Sequence, residues 1–322
     1  MTFPLLRLPF LTLQEVIKSM NVRNIVMFPS LSRKCHKVVK VSISTKSSLE
    51  IAFTSVGDGI VVKISPKSGF RFNWINEEHG FPLRIGDDFL VTAYFSTCGN
   101  WAKFNLTRSG QEAQDEELIK TVLKYFDDTI KPSVKFDFNF EMRQKFAMKL
   151  IRYCRLNHIR LSFNAFECGD SESPEEIREI LEDCVEENGN LCIDSSLPEG
   201  FEYTPPPGGF KLHLISVTKA HWINLNDFLQ CEHIRLYDSL HHMTPEYLNN
   251  VFKTIVNTEC RIKFLQLISE EFFSYSFPEV IRGLTDRPIS RSGSSLSVKF
   301  EGNDGRTTTI LHHHGAIVLK RK

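Results

Sequence analysis

The residues best equipped for chemistry are the run His312-His313-His314, the pair His241-His242, eight cysteines and several adjacent carboxylates. Imidazole is a zinc ligand, and residues 312 and 314 of an extended strand share one face, so the run has the spacing of two ligands. No cysteine or carboxylate stands at ligand spacing beside it, and a partly exposed strand end accounts for it equally well. A thiol nucleophile needs a base such as histidine. The sequence singles out no such pair, and Cys154 and Cys184 fall on the apolar faces of helical stretches, where a thiol is a small buried hydrophobe. Glu175-Glu176 and Glu186-Glu187 sit at helix ends, where solvation and the helix dipole explain them. Trp222, after His221, is either core or a binding anchor, since tryptophan is enriched at interface hot spots. Lys320-Arg321-Lys322 reads as a solvated tail or as a patch for nuclear import or an acidic partner. Gly57-Asp58-Gly59 has neither a following helix nor the lysine of a phosphate loop. The expectation is a non-catalytic chain with no metal and no cofactor.

The elements that carry these residues are framed by size and charge. The chain has 322 residues, room for two domains or for a small module plus a larger one. Lys plus Arg and Asp plus Glu are equal at 39 each, which argues against a dedicated nucleic-acid binder, whose affinity rests on neutralising phosphates. The cysteines form no C-x-x-C pair, and Arg7 and Pro9 interrupt the N-terminal apolar run, so no secretory signal is read there. No apolar run is long enough to span a bilayer. Reduced thiols in the cytoplasm or nucleus are the expectation.

Residues 3–40 are organised as three short amphipathic helices. Leu8-Pro9 sets extended backbone ahead of the first. Thr12 and Glu15 have capping-box spacing, with Leu11 and Val16 as a hydrophobic staple. Leu13, Val16, Ile17 and Met20 form one apolar stripe. Asn21 caps a second helix carrying Val22, Ile25, Val26 and Phe28, which Pro29 ends. A third begins near Ser30, with Leu31, Cys35, Val38 and Val39 on one side and Arg33, Lys34, His36 and Lys37 on the other. Fewer than forty residues cannot bury this much apolar surface alone, so the helices need support from a partner or, on a plainer reading, from the rest of the chain.

Residues 42–110 form a β-rich bridging segment. Leu49, Ile51 and Phe53 run into a Gly-Asp-Gly turn and Ile60, Val62 and Ile64 run back, a hairpin, and the alternation continues at Phe70, Phe72, Trp74, Phe89, Val91 and Phe95. From 111 to 322 helices and strands alternate. A helix over 115–130 precedes a strand at Val134, Phe136, Phe138 and Phe140, and a helix with Met142, Phe146, Leu150 and Cys154 precedes one at Ile159, Leu161 and Phe163. Ser173-Pro174-Glu175-Glu176 starts a helix that Gly189 ends. Thr204-Pro205-Pro206-Pro207-Gly208-Gly209 is a hinge or a long surface loop. Further strands are read at Leu191 and Ile193, at Leu212, Leu214 and Ser216, at Ile234 and Leu236, and at Ile262, Phe264 and Leu267. Asn224 and Thr244-Pro245 start helices between them. Strand starts recur every 21 to 32 residues, the range of leucine-rich and related β/α repeats, and a solenoid and a closed α/β sheet both fit. Leu296, Val298 and Phe300, a Gly302–Gly305 turn, and Thr307, Thr309 and Leu311 form a terminal hairpin.

Two resemblances follow from these stretches. The Leu8-Pro9 pair, Val16-Ile17 with Met20, Ile25-Val26, Leu31-Ser32-Arg33-Lys34 and Val38-Val39 resemble the F-box, with Ser30 and Cys35 departing from its usual aliphatic and aromatic positions. That resemblance implies docking on the Skp-type adaptor of a cullin complex through Leu8, Pro9, Val16, Ile17, Met20, Ile25, Val26 and Leu31. The segments HWINLNDFL with HIRLYDS, MTPEYLNNVFKTIVN and EGNDGRTTTI are similar to the F-box-associated domain of the second type, found in a large nematode family. Together they imply an F-box at 1–41, the bridging segment at 42–110 and an associated, leucine-rich-repeat-like β/α domain at 111–322. The implied role is a substrate-recognition subunit of an SCF-type ubiquitin ligase that holds an unknown target protein, with neither nucleic acid nor membrane as partner. A ligase-independent interaction scaffold is the alternative.

Overall fold

The computed structural model describes residues 5–43, 49–56, 59–66, 81–85, 89–95, 102–107, 112–138, 144–170, 172–185, 187–270, 272 and 275–322. The start of the 3–40 stretch, Gly57-Asp58, Phe70, Phe72, Trp74, Cys98, Phe140, Met142 and Glu186 lie outside the described residues. The chain divides into two compact units, Met1–Ser162 and Phe163–Lys322, both mixed α/β.

The first unit opens with three helices, α1 (Phe10–Lys18), α2 (Val22–Ser30) and α3 (Arg33–Ile43). The capping box at Thr12 is not formed. The Pro9 carbonyl accepts from Leu13 N at 2.9 Å, so the helix already begins at Phe10, and Glu15 pairs with Lys18 instead. Asn21 caps α2 through a bond from Asn24 N at 3.0 Å, and α2 runs one residue past Pro29. Five strands follow: β1 (Leu49–Val56), β2 (Gly59–Pro66), β3 (Phe81–Ile85), β4 (Phe89–Phe95) and β5 (Ala102–Thr107). Then come α4 (Glu112–Thr129), β6 (Ser133–Phe138) and α5 (Gln144–Leu156). The expected β1–β2 hairpin pairs Ile51 with Ile64 and Phe53 with Val62, all fully buried. The strand order is β6-β1-β2-β5-β4-β3, with only β6 running parallel to its neighbour. Helix α2 packs on β2, β3 and β5 and buries Val22, Ile25, Val26 and Pro29. Helix α3 packs on α1, α2 and α4, with Lys40 3.2 Å from Asp128 and the His36 ring edge-on to Tyr125. Burying an aliphatic side chain contributes roughly 1.5–3 kcal/mol. Much of the support that the helices require is therefore supplied by their own unit.

In the second unit, β7 (Leu161–Cys168), which begins just before the boundary, β8 (Asn190–Ile193), β9 (Leu214–Thr218), β10 (His233–Tyr237) and β11 (Phe264–Ile268) lie side by side in chain order, all parallel. Three antiparallel strands continue the sheet from β11, namely β15 (Ala316–Arg321), β14 (Thr307–His313) and β13 (Ser295–Glu301), and the short β12 (Ser290–Ser292) ends it. Helix α6 (Pro174–Glu179) carries the full Ser173–Glu176 capping box and passes into a π turn over Ile180–Cys184. It ends before Gly189, because Val185 is already extended. A 3-10 turn at Leu225–Phe228 is capped by Asn224, and α7 (Pro245–Asn257) is capped by Thr244. A short helix, α8 (Phe277–Val280), packs on α7.

Several inward faces differ from the expected alternation. In β9 the buried residues are Ile215 and Val217 rather than Leu214 and Ser216, in β11 Leu265 rather than Phe264, and in β14 Thr308 and Ile310 rather than Thr307, Thr309 and Leu311. In β7 they are Asn164, Phe166 and Cys168, whereas Leu161 is half-exposed. A one-residue shift exchanges the two faces of a strand, and neighbouring strands, not local spacing, decide between them. The Thr204–Gly209 segment joins β8 to β9 inside this unit and is a surface loop pinned by the buried Phe201, Phe210 and Leu212. The basic C-terminus is not a solvated tail. It is strand β15, in which Ile317, Leu319 and Arg321 alternate inward.

Candidate functional site

The structure sorts the eight expected docking residues into three groups. Ile17, Ile25 and Val26 are buried and hold the helices together. Leu8, Val16 and Met20 are half-buried. Pro9 and Leu31 are exposed, Leu31 to 67%. The start of α1 adds two exposed apolar residues, Phe10 at 52% and Leu11 at 74%. Leu11 does not act as a staple, because with the helix starting at Phe10 it lies on the opposite side from Leu13 and Ile17, which are the buried positions. Its signal in the sequence was an apolar residue left over once the i, i+4 core pair had been chosen. Ser30 bonds back to Met27 O at 2.7 Å and Cys35 is buried, so both departures from the F-box pattern are accommodated locally.

The parallel sheet of the second unit is asymmetric. One face carries the buried rows Leu191–Ile215–Ile234–Leu265 and Ile193–Val217–Leu236–Leu267. The other carries rows that remain at least partly accessible: Asn190–Leu214–His233–Phe264 and Cys192–Ser216–Arg235–Gln266. Arg235 lies over the Phe264 ring, 5.8 Å from its centroid. This face mixes one exposed guanidinium with aromatic, hydroxyl and amide groups, a composition suited to protein recognition.

An ion cluster sits where these strands begin. Glu232 Oε2 is 2.8 Å from Lys263 Nζ and 3.2 Å from His213 Nδ1, while Oε1 is 3.3 Å from Arg261 Nη2. The Lys263 bond above all, with those from Arg261 and His213, holds the Glu232 carboxyl at a pKa of about 2. The rings of His213 and His233 are 5.1 Å apart, and burial lowers the His233 pKa. None of these residues stands out in the sequence. They meet because His213 and Glu232 lie one strand repeat apart, next to paired positions of β9 and β10.

The residues read as chemically suggestive disperse into structural roles. His312 and His314 do not share a ligand face: His312 bonds to Phe272 O at 2.8 Å, whereas His314, at φ 43°, turns with Gly315 toward Ser294. His313 meets Ser295 Oγ at 2.7 Å. His242 bonds to Ile223 O, and burial lowers its pKa. Cys154 and Cys184 are fully buried, and burial pushes the Cys154 thiol up to about 12. The described cysteines are all free thiols. Trp222 is nearly buried, edge-on to Phe201 and Tyr203 at 5.2 and 5.6 Å. Glu187 pairs with Arg261 at 3.3 Å. Arg321 has no exposed side-chain surface and forms an ion pair with Asp304 at 2.7 Å. Among the described residues no helix is long and apolar enough to cross a membrane. No protein-family model, curated protein or solved structure matches the chain.

Proposed function

We propose that this chain is the substrate-recognition subunit of a cullin-type ubiquitin ligase, a non-catalytic receptor working in the cytoplasm or nucleus. In this reading the N-terminal helices are an F-box that docks on a Skp-type adaptor. The five parallel strands in chain order are a leucine-rich-repeat-like array whose accessible face holds a target protein. The observation that carries the reading is that Pro9, Phe10, Leu11 and Leu31 stay exposed on a module whose own core, Leu13, Ile17, Val26, Cys35 and Val39, is closed. Folding does not need those side chains, whereas burying them against a partner is favourable. Holding a target beside a charged conjugating enzyme raises the effective concentration of its lysines, which a receptor achieves without a catalytic residue.

One observation favours the ligase-independent scaffold as a second reading: Ile25 and Val26 are buried in a helix that packs on the chain's own sheet and are not free to meet an adaptor. Co-expression with a Skp-type adaptor separates the two. Co-purification as a stoichiometric complex supports the receptor, and soluble, folded chain emerging without adaptor leaves the scaffold.

A further inference from the structure

We propose that His213, Glu232 and His233 bind a borderline divalent transition ion such as zinc where β9 and β10 begin, with the Lys263 ammonium as its exchangeable occupant. One ligand atom from each of the three residues lies within 4.8 Å of the others. Two imidazoles and a carboxylate form a donor set that suits zinc and its neighbours rather than calcium or magnesium. Metal–ligand bonds of about 2.0–2.2 Å in a tetrahedron bring ligand atoms to roughly 3.3 Å of one another, so the triad must tighten. The His213 side chain is half-exposed and able to rotate inward, while His233 and Glu232 are more enclosed and act as the fixed part.

The obstacle is also the clue. A cation already sits at this carboxylate: Lys263 Nζ is 2.8 Å from the same Oε2 that faces His213. The lysine side chain is 57% exposed, so it can leave for water at little cost when a dication replaces it. Arg261 contacts the other oxygen, Oε1, and can stay to orient the carboxylate. Both histidines present a ring nitrogen to the same carboxylate, and binding the ion would release any proton they carry. Three protein ligands on adjacent strand ends leave a fourth position for water or for a partner's side chain.

The test is calorimetric titration of the full chain with zinc chloride in a non-chelating buffer, with cobalt(II) absorption as the spectroscopic check. One saturable site is expected. His213→Ala, His233→Ala and Glu232→Gln should each weaken it by more than the roughly 10- to 100-fold that losing a partner of a coordinating group costs. Lys263→Ala should tighten it several-fold, and His314→Ala should leave it unchanged. Zinc should also raise the unfolding temperature of the wild type more than that of His213→Ala, whose half-exposed side chain is removable without unfolding the strand. The proposal is overturned by the absence of a saturable event, by binding that survives all three ligand substitutions, or by Lys263→Ala failing to tighten it.

Discussion

Replacing Leu11 and Leu31 together by aspartate distinguishes docking from folding in the N-terminal helices. The two side chains are 74% and 67% exposed, so about two thirds or more of each remains to be covered by a partner. Full burial of a leucine is worth roughly 1.5–3 kcal/mol, which leaves about 1–2 kcal/mol for each residue on docking. If the two act independently, the pair removes about 2–4 kcal/mol, a fall in adaptor affinity of roughly 30- to several-hundred-fold. The chain itself should hardly notice, because exposed substitutions away from caps and cores lie within about 0.5 kcal/mol. Ile17→Ala is the reciprocal case. Ile17 has no exposed surface, so its truncation should cost about 2–5 kcal/mol of folding. The assay is calorimetric titration of each variant with a Skp-type adaptor, beside thermal unfolding of the chain alone. A Leu11→Asp/Leu31→Asp protein that folds normally and binds the adaptor as well as wild type would refute the assignment of these side chains to docking.

Three further outcomes follow from buried charge and backbone geometry. Asp304→Asn strands the fully buried Arg321 guanidinium and should cost about 3 kcal/mol in urea unfolding at pH 7, the low end for a buried pair because Asp304 is 20% exposed. Burial opposes Asp304 ionisation, but bonds from Arg306 N and Arg321 outweigh it and hold the pKa below the ordinary 3.8. The pair's stabilisation is therefore present above that value, and the gap between wild type and variant should close as pH falls through the depressed pKa; a gap unchanged at pH 2 would contradict this. Burial lowers the Lys63 pKa from 10.5 to about 8, with Glu50 partly opposing, so the fold disfavours the ammonium. Wild-type stability should rise between pH 8 and 10.5, and Lys63→Met should melt higher at pH 7 and lose that rise. Gly209 has φ +80° and an added Cβ would lie 2.6 Å from Asp227 O, so Gly209→Ala should lower the melting temperature, whereas Gly208→Ala meets no neighbouring atom and should cost less.

Much of the second unit was legible because its signals are local. Ser173, Asn224 and Thr244 cap the helical turns that their own side chains can reach. In the first unit, the β1–β2 hairpin needed only two alternating runs and a short turn. Other signals were ambiguous at short range. Leu212, Leu214 and Ser216 alternate as well as Ile215 and Val217 do, and only the neighbouring Leu191 and Ile234 rows select the second set. Lys320-Arg321-Lys322 carries the composition of a tail, and nothing local announces that Arg321 will be enclosed with Asp304 and Cys260. The Glu232 cluster was hidden for a related reason: its members are scattered from 213 to 263 and share no motif.

The sequence by itself determined the alternation of helices and strands from the first unit's α4 to β11, the absence of an excess of either charge, and the three N-terminal helices with their apolar stripes. Those properties depend on residue periodicity, caps and composition, which act over a few residues. The tertiary structure decided which apolar residues are free. Ile25 and Leu31 are both aliphatic and six positions apart, yet Ile25 is buried where α2 packs on β2, β3 and β5, and Leu31, just past the helix end, is left in water. Hydrophobicity states only that a side chain gains by burial, and the packing of the rest of the chain determines whether that gain is taken in folding or left for a partner.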